Sequence, residues 1–147
     1  MYRKWPSKAE LVADALRRRA DGRTAELADT GSLRGDLLLA VENIARTLAG
    51  GDGPSLLGMV EAIRADPGLR DLVRSQIDER TQQDGALICA RATSRGDSVD
   101  ADQGPAALGL ALAHLFLRTL LSGEPPSEAE QRGFVDQTLL PLLRPRT

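Results

Sequence analysis

The sequence predicts an all-α domain, and three observations support that fold class. Hydrophobic residues make up 41% of the 147 residues, yet only 3% are aromatic. The core must therefore draw on leucine and alanine, which favour helices, whereas strands favour β-branched and aromatic residues. Apolar residues recur at spacings of three and four, and no alternating strand pattern appears. A chain of this length suits one domain with one core, and a β-sandwich or β-barrel is not expected.

Two helical segments are predicted before position 50. The first, about residues 8–20, begins with a capping box in which Ser7 is followed three residues later by Glu10. The second, about residues 33–49, has Ser32 as its N-cap. Its apolar residues recur on one face of a helix, and they are Leu33, Leu37, Val41, Ile44 and Leu48.

The third and fourth segments meet at an aspartate–proline pair. The third covers about residues 54–65, and Asp66 with Pro67 ends it. The same pair supplies an N-cap and a first-position proline for the fourth segment, which extends to about residue 94. Gly85 interrupts the fourth segment, and the sequence leaves open whether the helix kinks or splits there.

The fifth segment, about residues 105–122, is apolar almost all round, so it has no polar face that would identify a solvent-exposed side. One face is expected to pack on the domain's own core and the other on a second chain. The sixth segment begins with a second capping box, Ser127 with Glu130, and extends to about residue 143. Pro141 falls in its last turn and is expected to kink or end it.

Charge and cysteine content narrow the function classes. The net charge of −2 hides an uneven distribution, because residues 1–23 carry +4 and the remaining residues −6. The basic end indicates either a polyanionic partner or a solvated helix end that suits the helix dipole. Cys89, the single cysteine, excludes an internal disulfide and is expected to be a small buried hydrophobe. The sequence shows no leader, no membrane-spanning run and no catalytic motif. We therefore expect a cytoplasmic protein that has no metal, cofactor or enzyme activity.

Four motifs resemble the tetracycline-repressor (TetR) family of bacterial transcriptional regulators. Residues 2–12 (YRKWPSKAELV) look like the junction between the recognition helix and the first helix of the regulatory domain. Residues 29–37 (DTGSLRGDL) look like the start of the regulatory core in one C-terminal-domain subgroup. Residues 94–97 (SRGD) and 139–143 (LLPLL) are similar to the same subgroup. The resemblance implies an all-α, six-helix TetR-type regulatory domain whose last two helices form an intersubunit four-helix bundle.

The family places two helices and most of a third before this junction. The resemblance therefore implies that residues 1–6 are a remnant of the DNA-binding head and that residues 7–147 form a ligand-binding and dimerisation domain. Tyr2 and Lys8 align with family positions that contact DNA phosphates, and the alternative for Lys8 is a solvated surface lysine. Operator DNA is expected as a partner only where the missing head is present.

The resemblance also implies an unknown small-molecule effector and a homodimer. The predicted ligand pocket comprises Val41, Asn43, Ile44, Ile63, Ile77 and His114. An alternative for His114 is a histidine of the core or interface with one hydrogen bond. The predicted dimer interface comprises Leu108, Leu112, Leu115, Thr119, Phe134, Val135 and Leu142.

The predicted function is therefore the regulatory domain of a TetR-like regulator, which binds an effector, dimerises and does not by itself read DNA specifically. The alternative is a stand-alone helical module that binds a small molecule or a partner protein. No membrane partner is expected in either case.

Overall fold

A computed structural model of the protein describes residues 11, 14, 26–50 and 55–145. These residues contain helices and no strand, which confirms the all-α prediction. The first predicted segment, residues 8–20, lies outside the described residues apart from positions 11 and 14, which are helical. The helices are α1 (Leu33–Leu48), α2 (Leu56–Ala65), α3 (Pro67–Ser94), α4 (Gly104–Ser122), α5 (Glu128–Phe134) and α6 (Leu140–Leu143).

The helix starts follow the capping residues that the sequence predicts. The Ser32 hydroxyl accepts a hydrogen bond from the N–H three residues later, at 3.0 Å, and begins α1. The Asp66 carboxylate does the same for α3 at 3.1 Å, with Pro67 in the first turn. Ser127 and Glu130 form the reciprocal capping box at the start of α5. These caps satisfy amide groups that no helical carbonyl reaches.

Gly85 does not split α3, which is one continuous helix of 28 residues. A Cβ atom at Gly85 would lie 2.5 Å from the carbonyl carbon of Gly104 and 2.5 Å from the nitrogen of Pro105. The missing side chain therefore lets α3 and α4 cross with their backbones in contact. Close helix approach, and not a break, explains this glycine.

The sixth predicted segment contains a π-helical turn, Val135–Leu139, between α5 and α6. In this turn the Leu140 N–H donates to the carbonyl of Val135, five residues back. Pro141 follows at once, has no N–H to donate, and lies in a helix that ends at Leu143. The prediction that Pro141 occupies the last turn is confirmed, and the π turn was not predicted.

The core has two parts. The main core joins α1, the second half of α3, α4 and the end of the chain, and its most buried side chains are Leu37, Val41, Ile88, Cys89, Leu115, Val135, Leu139 and Leu143. A smaller cluster of Met59, Ala62 and Leu69 lies between α2 and the start of α3. Leu56 packs against both parts. The α2 end of the domain is therefore joined to the main core by few apolar contacts.

By length and composition, the helical stretch Ala101–Ser122 is long and apolar enough to cross a membrane, and it is the one such stretch among the described residues. No such stretch was predicted, because the criterion was an apolar run without charge, and this one contains Asp102 and Arg118. Core and interface helices of soluble proteins have the same length and composition, so the stretch alone does not assign a membrane role.

Candidate functional site

Helix α4 has one buried face and one uncovered apolar face. The uncovered face includes four leucines with exposed fractions of 42% for Leu110, 54% for Leu117, 39% for Leu120 and 77% for Leu121. Their spacing of seven, three and one residues places them on one side of a helix. We call these four leucines, with the exposed alanines at positions 106 and 113, the α4 leucine face.

The structure places the predicted interface residues differently. Four of the seven are buried in the chain's own core, namely Leu108, Leu115, Thr119 and Val135. The apolar surface of α4 that the domain leaves uncovered lies on the opposite side of the helix. The other three are partly buried: Leu112, Phe134 and Leu142. The sequence could not separate the two faces of α4, because both are apolar and no polar residue marks the outer one.

Two side-chain contacts connect the short helix α5 to α4. The imidazole of His114 stacks on the ring of Phe134, with centroids 4.3 Å apart and planes within 7° of each other. Arg118 and Glu130 form an ion pair between the same two helices. The His114 ring therefore links two helices through an aromatic contact.

The described residues bring the predicted pocket together only in part. Val41 lies in the main core and Ile44 packs against it, whereas Ile63 packs on the smaller cluster. Asn43 is partly buried, and Ile77 is 39% exposed. The structure also contains an open cleft of about 560 Å³, whose lining comprises other residues: Thr81, Gln82, Ala86, Ala101, Asp102, Pro105 and Ala106. The predicted DNA-phosphate contacts, at positions 2 and 8, lie outside the described residues.

A buried polar network joins two of the motifs that carry the family resemblance. Asp36, on the first turn of α1, is fully buried. Its carboxylate accepts hydrogen bonds from the Thr30 N–H at 2.8 Å, from the Thr30 hydroxyl at 2.7 Å and from the Arg95 guanidinium at 3.0 Å. Arg95 also forms an ion pair with Asp29. Residues 29–37 therefore meet residues 94–97 through charge-assisted hydrogen bonds.

The network determines the ionisation of its carboxylates. Burial by itself raises the pKa of Asp36, but the hydrogen bonds from Thr30 and Arg95 outweigh it and hold that pKa below its ordinary value. The Gly31 N–H, which donates to Asp29 at 2.9 Å, and the Arg95 guanidinium lower the pKa of Asp29. The hydrogen bond to Asp36 in turn raises the pKa of Arg95. All three groups are therefore charged at neutral pH.

Two glycines of the 29–37 motif make room for this network. Gly31 has φ of +91°, a conformation that favours glycine, where the chain turns into α1. A Cβ atom at Gly35 would collide with the side chain of Thr30, which closes over the first turn of α1. The network was not predicted from the sequence. The available signal was an acidic residue, Asp36, directly beside the buried Leu37 on the inner face of α1.

Comparison with known proteins agrees with the fold and with these motifs. The family described as "Tetracyclin repressor-like, C-terminal domain" matches residues 27–138. An uncharacterized HTH-type transcriptional regulator of Mycobacterium tuberculosis is 30% identical over 145 residues, which cover 97% of this chain and 70% of that protein. The DNA-binding transcriptional repressor TetR of Mycobacteroides abscessus is 33% identical over 147 residues, which cover 99% of this chain and 76% of the repressor.

No solved structure matches the chain at a significant level. The family match spans α1 to the π turn and includes both halves of the Asp36–Arg95 network. The chain therefore belongs to the TetR-like family of transcriptional regulators, with residues 27–138 matching the C-terminal domain of that family.

Proposed function

We propose that the described domain is the dimerising, effector-binding part of a cytoplasmic TetR-like transcriptional regulator. The observation that carries the proposal is the α4 leucine face, which a soluble monomer would leave in contact with water. Monomers rarely expose contiguous apolar patches larger than a few hundred Å². A second copy of the chain would cover this face with its own α4 leucine face, because a two-fold symmetric interface pairs the same patch on both chains.

The arrangement of α4 and α5 suits a four-helix bundle between two chains. The stacked pair of His114 and Phe134 and the ion pair of Arg118 with Glu130 link the two helices. Two such pairs about a two-fold axis make the bundle. In the proposed bundle the contacts come from the α4 leucine face and from the half-buried Phe134, and not from the residues that each chain buries in its own core.

The proposed effector site lies at the junction of the two parts of the core. Ile44 on the main-core side and Ile63 on the α2 side would be its apolar walls, with the partly buried Asn43 as a polar group. The support is the weak connection between the two parts, where Leu56 packs against both. Small-ligand sites combine apolar walls with a few directed polar groups.

Sequence-specific DNA reading is proposed to belong to helices outside the described residues. Beyond position 23 the chain has 12 basic and 18 acidic residues, so this body repels a polyanion. The proposed contacts of Tyr2 and Lys8 would add phosphate binding, which positions a protein on DNA without reading bases. The names of the relatives, which include HTH-type regulator and DNA-binding repressor, support a regulator that reads DNA through such a head.

The interface is tested by Leu117→Arg, with Leu57→Arg as the matched control. Leu117 lies on the α4 leucine face and is 54% exposed, and Leu57 lies on α2 and is 59% exposed. Arginine at position 117 would place a charge at each of the two equivalent sites of the dimer, at a cost of several kcal/mol per buried charge. Sedimentation velocity should show that L117R shifts to the monomer at micromolar concentration, whereas L57R keeps the wild-type mass. Equal masses for all three proteins would refute the proposed interface.

A further inference from the structure

Charged side chains, and not secondary structure, hold the segment that leads into α1. Residues 26–31, which we call the strap, lie in no helix or strand. Leu27 is the one buried residue of the strap, and it packs into the main core. The position of the other strap residues therefore depends on their polar contacts with α1 and α3.

Two arginines four residues apart at the end of α3 make most of these contacts, Arg91 in the last turn and Arg95 as the C-cap residue. Arg91 donates to the main-chain carbonyl of Leu27 at 2.6 Å and to the carboxylate of Glu26 at 3.1 Å. Arg95 forms the ion pair with Asp29 and the hydrogen bond with the buried carboxylate of α1. The side chains of the two arginines are only 17% and 21% exposed. The end of α3 therefore binds the strap at both its main chain and its carboxylates.

Asp36 makes the attachment specific. It is fully buried, and a buried carboxylate is stable only when donors surround it. Thr30 and Arg95 supply those donors, one from the strap and one from α3. If the strap moves, Asp36 loses two hydrogen bonds from Thr30, and if α3 moves it loses its cation. One carboxylate therefore ties three pieces of chain together.

Helix α3 is one continuous element that contacts several other parts of the domain. Its start packs on the small cluster through Leu69, and its middle crosses α4 at the contact between Gly85 and Gly104. Its last turn carries Arg91, and Arg95 is its C-cap residue. Among the described elements, α3 therefore contacts the proposed effector region, the proposed dimer helix and the strap.

We propose that Arg91, Arg95 and Asp36 form a clamp that fixes the direction in which the N-terminal segment leaves the regulatory domain, so that this segment moves with α3. The clamp does not require dimerisation. It rests on the proposed function only in that the DNA-reading helices would lie on the N-terminal side of the strap. The role of these three side chains is to position the strap, because their contacts are with one another and with the strap.

The clamp is tested in the full chain by Arg95→Gln, with Arg34→Gln as the matched control. Arg34 is closer to the strap in sequence than Arg95 is, but Arg34 forms its ion pair, at 2.7 Å, with Asp136 near the end of the chain. Hydrogen exchange of the Thr30 and Gly31 amides, which donate to the network carboxylates, is the first measurement. R95Q should increase the exchange rate of these amides by about tenfold or more, which corresponds to the loss of one hydrogen bond. R34Q should leave the rate unchanged.

The second measurement is the fluorescence anisotropy of a maleimide dye on Thr24→Cys, two residues before the strap. The natural Cys89 is 2% exposed and burial raises the pKa of its thiol, so the dye reacts at position 24 first. The anisotropy should fall in R95Q and in Arg91→Gln, and not in R34Q. The R91Q variant leaves the pair of Arg95 and Asp36 intact, so it keeps the test available where R95Q does not fold.

Unchanged strap exchange and unchanged anisotropy in both clamp variants would overturn the clamp. Faster exchange in α1 and α4 together with the strap would also overturn it, because the arginines would then stabilise the whole fold. Sedimentation of the same variants separates this result from the proposed function. A clamp variant that stays dimeric while its strap loosens supports both proposals, and a monomeric wild type would refute the dimer without touching the clamp.

Discussion

The contact between α3 and α4 predicts a large effect from a single methyl group at Gly85. In Gly85→Ala the new Cβ atom would lie 2.5 Å from two backbone atoms of α4 and 2.7 Å from the Gly104 carbonyl oxygen. Ordinary contacts at such atoms are 3.4 to 4 Å, so one helix must move by about 1 Å along a tightly packed surface. Backbone cannot rotate away as a flexible side chain can.

The expected cost follows from two opposing terms. Overpacking of a core costs about 1–3 kcal/mol. Replacing glycine by alanine inside a helix returns about 0.5–1 kcal/mol. We expect a net loss of about 1–2 kcal/mol in the free energy of unfolding, which lowers Tm by about 2–8 °C in a domain of this size.

The control is Gly68→Ala on the same helix. A Cβ atom there meets only the Asp66 carboxylate at 3.4 Å, an ordinary contact, so stability should be unchanged or slightly higher. Urea unfolding followed by circular dichroism, at one protein concentration, compares the three proteins. A G85A protein as stable as wild type would refute the close backbone contact as the reason for this glycine.

Three further predictions concern ionisation, DNA and the effector. Because the pKa of Asp36 is lower in the folded chain than in the unfolded chain, the ionised carboxylate stabilises the fold above its ordinary pKa, and this stabilisation is lost as the pH falls below that value. Asp36→Asn should lower the free energy of unfolding by about 3 kcal/mol at pH 7 and make it less dependent on pH below about pH 5. Parallel curves of stability against pH for the wild type and the variant would contradict this. The 147-residue chain should bind duplex DNA weakly, without sequence preference, and with an affinity that falls steeply with salt, so nanomolar selective binding in fluorescence anisotropy would refute the proposal. The fluorescent probe anilinonaphthalene sulfonate should bind the wild type saturably. Ile63→Trp, which would fill the proposed effector site, should abolish this binding, and the exposed control Leu57→Trp should preserve it. Equal binding by both variants would show that the probe binds outside the proposed site.

The helix starts could be predicted because they are encoded locally. Ser32, Asp66 and the Ser127–Glu130 pair satisfy amides within three residues of themselves, so the sequence contains both partners of each contact. Gly85 could not be assigned in this way, since a glycine that breaks a helix and one that admits a neighbouring helix look the same in one sequence. The neighbour, Gly104, is 19 positions away along the chain.

The site was harder to predict for the same physical reason. The outer face of α4 contains Leu110, Leu117 and Leu121, as apolar as the inner face, so periodicity could not show which side the domain covers. The pair of Asp36 and Arg95 joins positions 59 residues apart. The sequence marked both residues as parts of family motifs, but only the fold shows that they are in contact.

The central claim is that two chains pair through the α4 leucine face, and the mass of the wild-type chain in solution tests it most directly. Sedimentation equilibrium over a dilution series in the micromolar range should give about 32 kDa, twice the chain mass of 15.8 kDa. The leucines of this face, including Leu117 and Leu121, would then be covered by the second chain. A constant mass of 15.8 kDa across the series would contradict the account, because this face would then remain exposed to water.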